Sequence, residues 1–175
     1  IEERTMEAIL FIAVMVGLVL VLYKAREKGG ELIHRAIRPG AYKKGKEVTT
    51  RVVALNAPVS PERFLDRVIQ TLDVSDKPPL TGGLYMHARE IDADGDHIAV
   101  LAIGNPLMNN AEIALVLSPV RKGCAGSIRV VKWHETEGVV DGIDKLERVF
   151  NHVDEAVRHF GGATSVSVEE VAGNA

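Results

Sequence analysis

The stretch AILFIAVMVGLVLVLY, residues Ala8–Tyr23, sets the organisation of the whole chain. It runs for sixteen residues without a charged side chain and stops at Lys24. At about 1.5 Å per residue a helix of this length spans about 24 Å. With snorkelling Lys24 and Arg26 side chains it approaches the ~30 Å hydrocarbon core of a bilayer. The pattern therefore predicts one transmembrane helix over residues 8–23, with Tyr23 as an interfacial aromatic residue.

A buried core helix and a cleaved signal peptide both fit this stretch less well. A core helix of a small domain is seldom apolar on every face. A signal peptide needs a basic leading segment, whereas residues 1–7, IEERTME, carry three acids and one base. The chain starts at Ile1 rather than Met, and we expect that the first residues of the gene product are missing from it or were removed.

Charge on the two sides of the span predicts its orientation. Residues 1–7 have a net charge of −2, and residues 24–47 carry eight Lys and Arg against three Glu, a net charge of +5. The positive-inside rule then places the N-terminus outside and the rest of the chain in the cytoplasm of a cell-membrane protein. Residues 48–175 have a net charge of −6, which argues against nucleic acid as a partner.

Residues 24–47 are predicted to form a basic juxtamembrane linker. A short amphipathic piece at Glu31–Ile37, stopped by Pro39 and Gly40, suits the surface of an anionic leaflet. Each base near such a surface contributes roughly 1 kcal/mol. A linker whose bases only enforce topology is the simpler alternative. The candidate contacts to lipid headgroups are Lys24, Arg26, Lys28, Arg35 and Arg38.

A small α+β domain is predicted over residues 48–162. Val48–Leu55, VTTRVVAL, is rich in β-branched residues and is predicted to be a strand. In the segment that follows, Ser60 is suited to be an N-cap and Pro61 to occupy the first helical position. The helix carries one apolar stripe, formed by Phe64, Leu65, Val68, Ile69 and Leu72.

The middle of the domain is predicted to be an antiparallel β-meander. Four strand-like runs are separated by short links, and they lie at Leu84–Ile91, His97–Gly104, Ala111–Leu117 and Gly126–Trp133. The run His97–Gly104 is almost continuously apolar, as expected of a strand that is covered on both faces.

A long amphipathic helix is predicted at Asp141–Phe160, because its apolar residues recur at intervals of three and four. Gly161 and Gly162 end it. The tail, residues 163–175, is either an edge strand that includes Val166 and Val168 or a disordered segment.

This order of elements resembles the START-like superfamily, also called helix-grip or polyketide-cyclase-like. The resemblance covers residues 48–162 and rests on a strand that leads into NAPVSPERFLDRVIQTL, a meander and a long last helix. It implies a sheet that curves around the last helix and an apolar ligand between them, next to Phe150, Val153 and Val157. The chain departs from the family in having five predicted strands rather than seven. A generic α+β sandwich, with helices on one face of a sheet, fits nearly as well.

Candidate chemical groups are few. Asp92, Asp94 and Asp96 fit a polar hairpin turn better than a calcium loop, because the glycine and glutamate of an EF-hand are missing at their positions. His152 and His159 lie seven residues apart on the last helix, a spacing that favours exposed side chains over a metal site.

Two further residues have chemistry of their own. Cys124 follows Arg121 and Lys122, whose charges would lower its pKa in a loop. His134 stands at a strand end as an acid or base without an assignable partner. No catalytic motif, cofactor motif or metal site is predicted, and the chain is not expected to be an enzyme.

These observations lead to two functional hypotheses. The first is a non-catalytic accessory or assembly subunit of a larger membrane protein complex. In this hypothesis Ala13 and Gly17, four residues apart on one helix face, admit a neighbouring helix of another subunit. The alternative is a membrane-tethered START-like module that binds a lipid or another apolar ligand.

Overall fold

The computed structural model describes residues 39–136 and 139–169, and its first element is a helix. Helix α1 spans Pro39–Thr50. The prediction of a strand starting at Val48 was therefore wrong, since Val48, Thr49 and Thr50 complete this helix. Val48 is fully buried, and the Thr49 hydroxyl donates to the carbonyl oxygen of Gly45 (3.1 Å). Burial and these local bonds outweigh the low helix propensity of β-branched residues.

Strand β1 (Arg51–Ala57) and helix α2 (Pro61–Leu72) follow. The predicted helix start is confirmed: the Ser60 side chain accepts a hydrogen bond from the Arg63 backbone N–H, and Pro61 stands in the first turn. Asp73, in a left-handed conformation with φ 52°, ends the helix. The buried side of α2 consists of Pro61, Phe64, Leu65, Val68 and Leu72.

The predicted antiparallel meander is confirmed, with longer strands than expected. It consists of β2 (Gly83–Ile91), β3 (His97–Asn105), β4 (Met108–Val120) and β5 (Gly123–Trp133). The expected turn over 105–110 and loop over 118–125 shrink to two-residue connections, because β4 pairs with β3 over residues 108–117 and with β5 over residues 111–120. The Asp92–Asp96 segment is a hairpin turn, in which the Asp92 carboxylate accepts the backbone N–H groups of Asp94 and Asp96.

After the meander come the small hairpin β6 (Glu135–Thr136) and β7 (Val139–Val140), helix α3 (Ile143–His159) and strand β8 (Ala163–Val168). The tail thus begins with an edge strand. The expected five strands become eight in the part of the chain that the structure describes, six of them in one sheet. The order in that sheet is β2-β3-β4-β5-β1-β8, with every neighbouring pair antiparallel.

The core lies between one face of this sheet and the three helices. Alternate strand residues, such as Leu101, Ile113 and Ile128, meet the apolar faces of α2 and α3. The Phe64 ring of α2 lies 6.2 Å from the Phe160 ring at the end of α3. Each fully buried side chain of this size stabilises the fold by about 1.5–3 kcal/mol. The fold is α+β, with an antiparallel sheet and a long C-terminal helix.

The antiparallel order gives the sheet two distinct ends. At the proximal end, β1, β2 and β4 start and β3, β5 and β8 finish; at the distal end lie the turns 92–96 and 121–122. Helix α1 leads into the proximal end. There Lys44 forms ion pairs with Asp144 (3.4 Å) and Glu147 (2.6 Å) in the first two turns of α3.

Within residues 39–136 and 139–169, no helix is both long and apolar enough to cross a membrane. The predicted span at residues 8–23 lies outside the described residues. So do the helix-contact pair and the candidate lipid contacts, which are Ala13, Gly17, Lys24, Arg26, Lys28, Arg35 and Arg38.

Candidate interaction surface

One face of the six-stranded sheet carries aliphatic side chains that do not belong to the core. Ala99, Leu101 and Ile103 of β3 point into the core cluster, so the intervening residues of β3 point to the opposite side. Strand pairing then assigns the neighbours on that side. We call this surface the open face. Its aliphatic and small residues are Val52, Ala54, Ala88, Ile98, Val100, Ala114, Val116, Ala125 and Ser127, and the same pairing also places Asn56, Glu90, Ser118 and Arg129 on it.

The composition of the open face is unusual for a sheet surface in contact with water. A face that is permanently solvated is normally polar, which gives strands a clean alternation of apolar and polar residues. Here β3 places Ile98 and Val100 outward, and β4 places Ala114 and Val116 outward. All four are half-buried. The core cluster, which contains the buried residues of α2 and α3, includes none of them.

The size of the apolar area can be estimated from strand geometry. Neighbouring strands lie about 4.8 Å apart and alternate residues about 6.7 Å apart. Five strands and two to three rows therefore cover roughly 20 by 15 Å, on the order of 300 Å². Patches of this size on soluble proteins are often functional. Arg129 is a charged residue within the patch, because it pairs with Ala114 of β4 and with Val52 of β1; its guanidinium forms an ion pair with Glu169 (3.6 Å).

A polar network bounds the open face at the proximal end. The Tyr85 hydroxyl donates to the Asn109 side-chain oxygen, and the Asn109 amide donates to Glu112 (3.1 Å). The Lys132 ammonium donates to the same carboxylate oxygen (3.2 Å). Tyr85 is paired with Ala102 across the strands, and both are buried outside the core cluster.

The charge of Glu112 is stabilised by this network. Burial works to raise the pKa of the carboxyl group, but the hydrogen bonds from Asn109 and Lys132 and the charges of Lys132 and His87 outweigh it. The pKa of Glu112 therefore lies below its ordinary value. A cleft of about 520 Å³ borders the network. The Tyr85 hydroxyl, the Glu112 carboxylate and the Lys132 ammonium group are already linked by hydrogen bonds, with Asn109 between Tyr85 and Glu112. Such a satisfied network suits a structural role more than a reaction centre.

His134 has a partner that the sequence did not reveal. Its Nδ1 lies 2.9 Å from Asp141 Oδ2, and the Thr136 hydroxyl donates to that same oxygen (2.9 Å). Asp141 also donates its backbone N–H to the His134 carbonyl. The group closes the β6–β7 hairpin, and the His134 side chain is about half exposed. It orients an imidazole at the surface.

The environment expected for Cys124 was wrong. Cys124 lies on β5 rather than in a loop, and it is fully buried in the core cluster. Burial raises the pKa of its thiol, and a hydrogen bond from the Ala57 backbone opposes this shift only in part. A buried neutral thiol behaves as a small apolar side chain.

The structure places the residues expected to line an apolar pocket on the buried side of α3. Phe150 is 4% exposed, and Val153 and Val157 are fully buried. All three belong to the core cluster. None of the four clefts found on the described parts of the molecule is lined by them.

The metal hypotheses find no support in the geometry of the described residues. No group of three or more His, Cys, Asp and Glu side chains among residues 39–136 and 139–169 is arranged to hold a metal ion. His152 Nδ1 lies 2.9 Å from the carbonyl oxygen of Arg148, and the His159 ring stacks edge-on against Phe160.

Comparison with known proteins adds little. No protein-family model matches this chain, and no curated protein matches it. Among solved structures, the chain is similar to the adenosylmethionine decarboxylase from Aquifex aeolicus VF5, with 8% sequence identity and a TM-score of 0.31. The match covers 71% of this chain and 92% of that one. A likeness this low does not establish a shared fold or activity.

Proposed function

We propose that this protein is a non-catalytic, single-pass accessory or assembly subunit of a larger membrane protein complex. Its α+β domain makes the protein contacts, and its N-terminal helix anchors it in the cell membrane with the domain in the cytoplasm. The observation that carries the proposal is the open face, an aliphatic sheet surface that the core helices leave uncovered.

The argument from the open face is energetic. Ile98, Val100 and Val116 are half-buried in the free domain. Burying the rest of their apolar area against a partner lowers the free energy by about 25 cal/mol per Å². A flat aliphatic patch suits the core of a protein interface, where charged residues are depleted. The apolar pattern of β3 favours cover on two faces, and a partner subunit would supply the second cover.

The anchor is supported by sequence alone. Residues 8–23 have the composition of a spanning helix, and snorkelling by Lys24 and Arg26 extends its length of about 24 Å toward the thickness of the hydrocarbon core. The basic segment after them sets the orientation. Ala13 and Gly17 would let a helix of another subunit approach closely. The bases Lys24, Arg26, Lys28, Arg35 and Arg38 would lie among anionic headgroups.

Extraction from native membranes in mild detergent tests the proposal. The full chain, the variant Val116→Lys and the control Val166→Lys would be purified, sized and analysed by mass spectrometry. Val166 lies on the edge strand β8, pairs with the core residue Val53 and therefore faces the opposite side of the sheet, and it is 66% exposed. We expect stoichiometric partner proteins with the wild type and the control, and at least a tenfold loss with Val116→Lys.

Two results would contradict the proposal. One is a wild-type chain that purifies as a lone monomer. The other is a folded Val116→Lys variant, checked by its melting curve, that keeps its partners. Bulky replacements at Ala13 and Gly17 test the anchor separately, because they should release the chain from the complex if that helix face is in contact.

The alternative, a START-like module for a lipid or other apolar ligand, is the weaker proposal. It needs a cavity of several hundred Å³ between the sheet and α3. Phe150, Val153 and Val157 already pack in that space, so a ligand would first have to displace core side chains.

A further inference from the structure

Two loops at the proximal end of the sheet present leucines with almost no cover. Leu80, in the loop between α2 and β2, is 89% exposed, and Leu107, in the turn between β3 and β4, is 96% exposed. Met108 beside it is 48% exposed. Pro78 and Leu107 line the same cleft, so the two loops are neighbours.

Local hydrogen bonds fix both loops. The Gly82 N–H donates to the Pro79 carbonyl (3.0 Å) and closes the first turn. In the second, the Asn105 side-chain oxygen accepts the N–H groups of Leu107 (2.9 Å) and Met108 (3.0 Å). Prolines at 78, 79 and 106 restrict the backbone further. The leucines are therefore held outward by the turns that carry them.

These loops lie at the end of the sheet where the N-terminal segment arrives. Helix α1 ends where β1 begins, and β1 begins at the proximal end. Lys44 of α1 is paired with Asp144 and Glu147 at the same end. The leucine loops and the C-terminal end of α1 therefore lie at the same end of the sheet.

We propose that residues 78–82 and 105–108 form a membrane-contacting tip that inserts Leu80 and Leu107 into the leaflet next to the anchor. This inference rests on the proposed membrane anchoring. Residues 24–38 can reach at most about 50 Å when fully extended, so the domain stays close to the bilayer. Tethering makes insertion effectively intramolecular, and a weak tip is then sufficient.

Apolar contact contributes more than charge to the binding of this tip to the bilayer. Three bases lie near the loops: Lys132 shares a cleft with Pro78 and Leu107, and Lys145 and Arg148 share a cleft with Gly82. Acidic residues accompany them, because Asp76 lines the first cleft and Asp73 the second, and Glu112 is paired with Lys132. The opposing charges lie close together, so attraction to anionic headgroups is small. A bilayer of neutral lipid should therefore hold the tip nearly as well as one that contains anionic lipid.

Site-specific labels on the full chain in liposomes test the tip. Leu107→Cys and Leu80→Cys would be labelled with an environment-sensitive fluorophore, with Ala93→Cys in the distal turn as the matched control. The single native cysteine, Cys124, is buried, and its residual labelling is measured on the wild type. The liposomes contain phosphatidylcholine with or without phosphatidylglycerol, and a spin-labelled lipid serves as quencher.

We expect blue-shifted emission at positions 80 and 107 and at least threefold stronger quenching there than at position 93. Equal quenching at the three positions would overturn the proposal. A blue shift without lipid quenching would also overturn it, because it would indicate a protein contact. Carbonate extraction of the same liposomes reports the anchor by itself. A chain released by carbonate contradicts the proposed function, and the label comparison still decides the tip.

Discussion

Lys44 of helix α1 and Glu147 of helix α3 form an ion pair, with 2.6 Å between Nζ and Oε2. Together with Asp144 it joins the first described helix to the last one at the proximal end. The hydrogen bond to Glu147 outweighs desolvation and raises the pKa of Lys44. The segment that follows the predicted anchor is thus attached to the domain by side chains as well as by the backbone.

The first prediction concerns this attachment. Replacing Glu147 by Gln removes the charge that holds Lys44, and we expect amide hydrogen exchange in α1 to accelerate about threefold, as for the loss of an exposed ion pair. Exchange in β4 should not change. Glu155→Gln, on the exposed side of the same helix, is the control. Equal exchange rates in α1 for both variants would argue that the ion pair does not hold the helix.

A second prediction separates a filled core from a ligand pocket. Phe150→Ala should lower the free energy of unfolding by about 3–5 kcal/mol if Phe150 is a packed core residue. A residue that lines a pre-existing cavity would cost much less on truncation. Val168→Ala, at a position 69% exposed, should change the stability by no more than about 0.5 kcal/mol. Denaturant unfolding of both variants gives the comparison.

The third prediction is a pH dependence from Glu112. The pKa of this group is lower in the folded chain than its ordinary value of 4.5. Its contribution to stability is therefore complete above pH 4.5 and is lost as the pH falls through the folded value. Glu112→Gln should flatten the fall in stability below about pH 5. Glu90→Gln, at an exposed position, serves as the control. If the stability of Glu112→Gln fell at acidic pH as steeply as that of the wild type, the pH dependence could not be assigned to Glu112.

A fourth prediction compares the effect of replacing glycine by alanine at two different positions. A Cβ at Gly126 would come within 1.9 Å of the Val116 carbonyl oxygen, whereas a Cβ at Gly40 would meet nothing within 4 Å. Because backbone cannot move aside as a flexible side chain can, Gly126→Ala should destabilise the fold by about 3 kcal/mol. Gly40→Ala, in helix α1, should be neutral or stabilising by up to about 1 kcal/mol. Thermal melting of the two variants provides the test.

The sequence predicted the elements whose signals are local. Ser60 and Pro61 marked the start of α2, and the spacing of Leu146, Val149 and Val153 marked α3. These patterns depend on residues within a few positions of one another, so one sequence is enough to find them. The meander was found for the same reason, from apolar runs between turn residues.

Elements that depend on distant contacts were misjudged. Gly45 is a poor helix residue, yet a Cβ there would come within 2.9 Å of Val140, and no local pattern shows that need. Strand β8 was one of two alternatives for the tail, and the sequence could not choose between them because the strand depends on the unpaired edge that β1 offers it. The open face was visible only as the continuous apolar run of β3, and its residues on other strands follow from the pairing register. The contact between His134 and Asp141 also depends on the fold, because the β6–β7 hairpin brings the two residues together.

The pairing of β1 also sets an order of events during synthesis. Its two neighbours, β5 and β8, lie far along the chain, at residues 123–133 and 163–168. If the N-terminal helix enters the membrane first, β1 leaves the ribosome early. Both of its edges then remain unpaired until most of the domain has been synthesised. Such non-local pairing is slow to form and vulnerable to wrong partners. The nascent chain is therefore most prone to aggregation before β5 arrives, and its early tethering at the bilayer would keep copies apart during that interval.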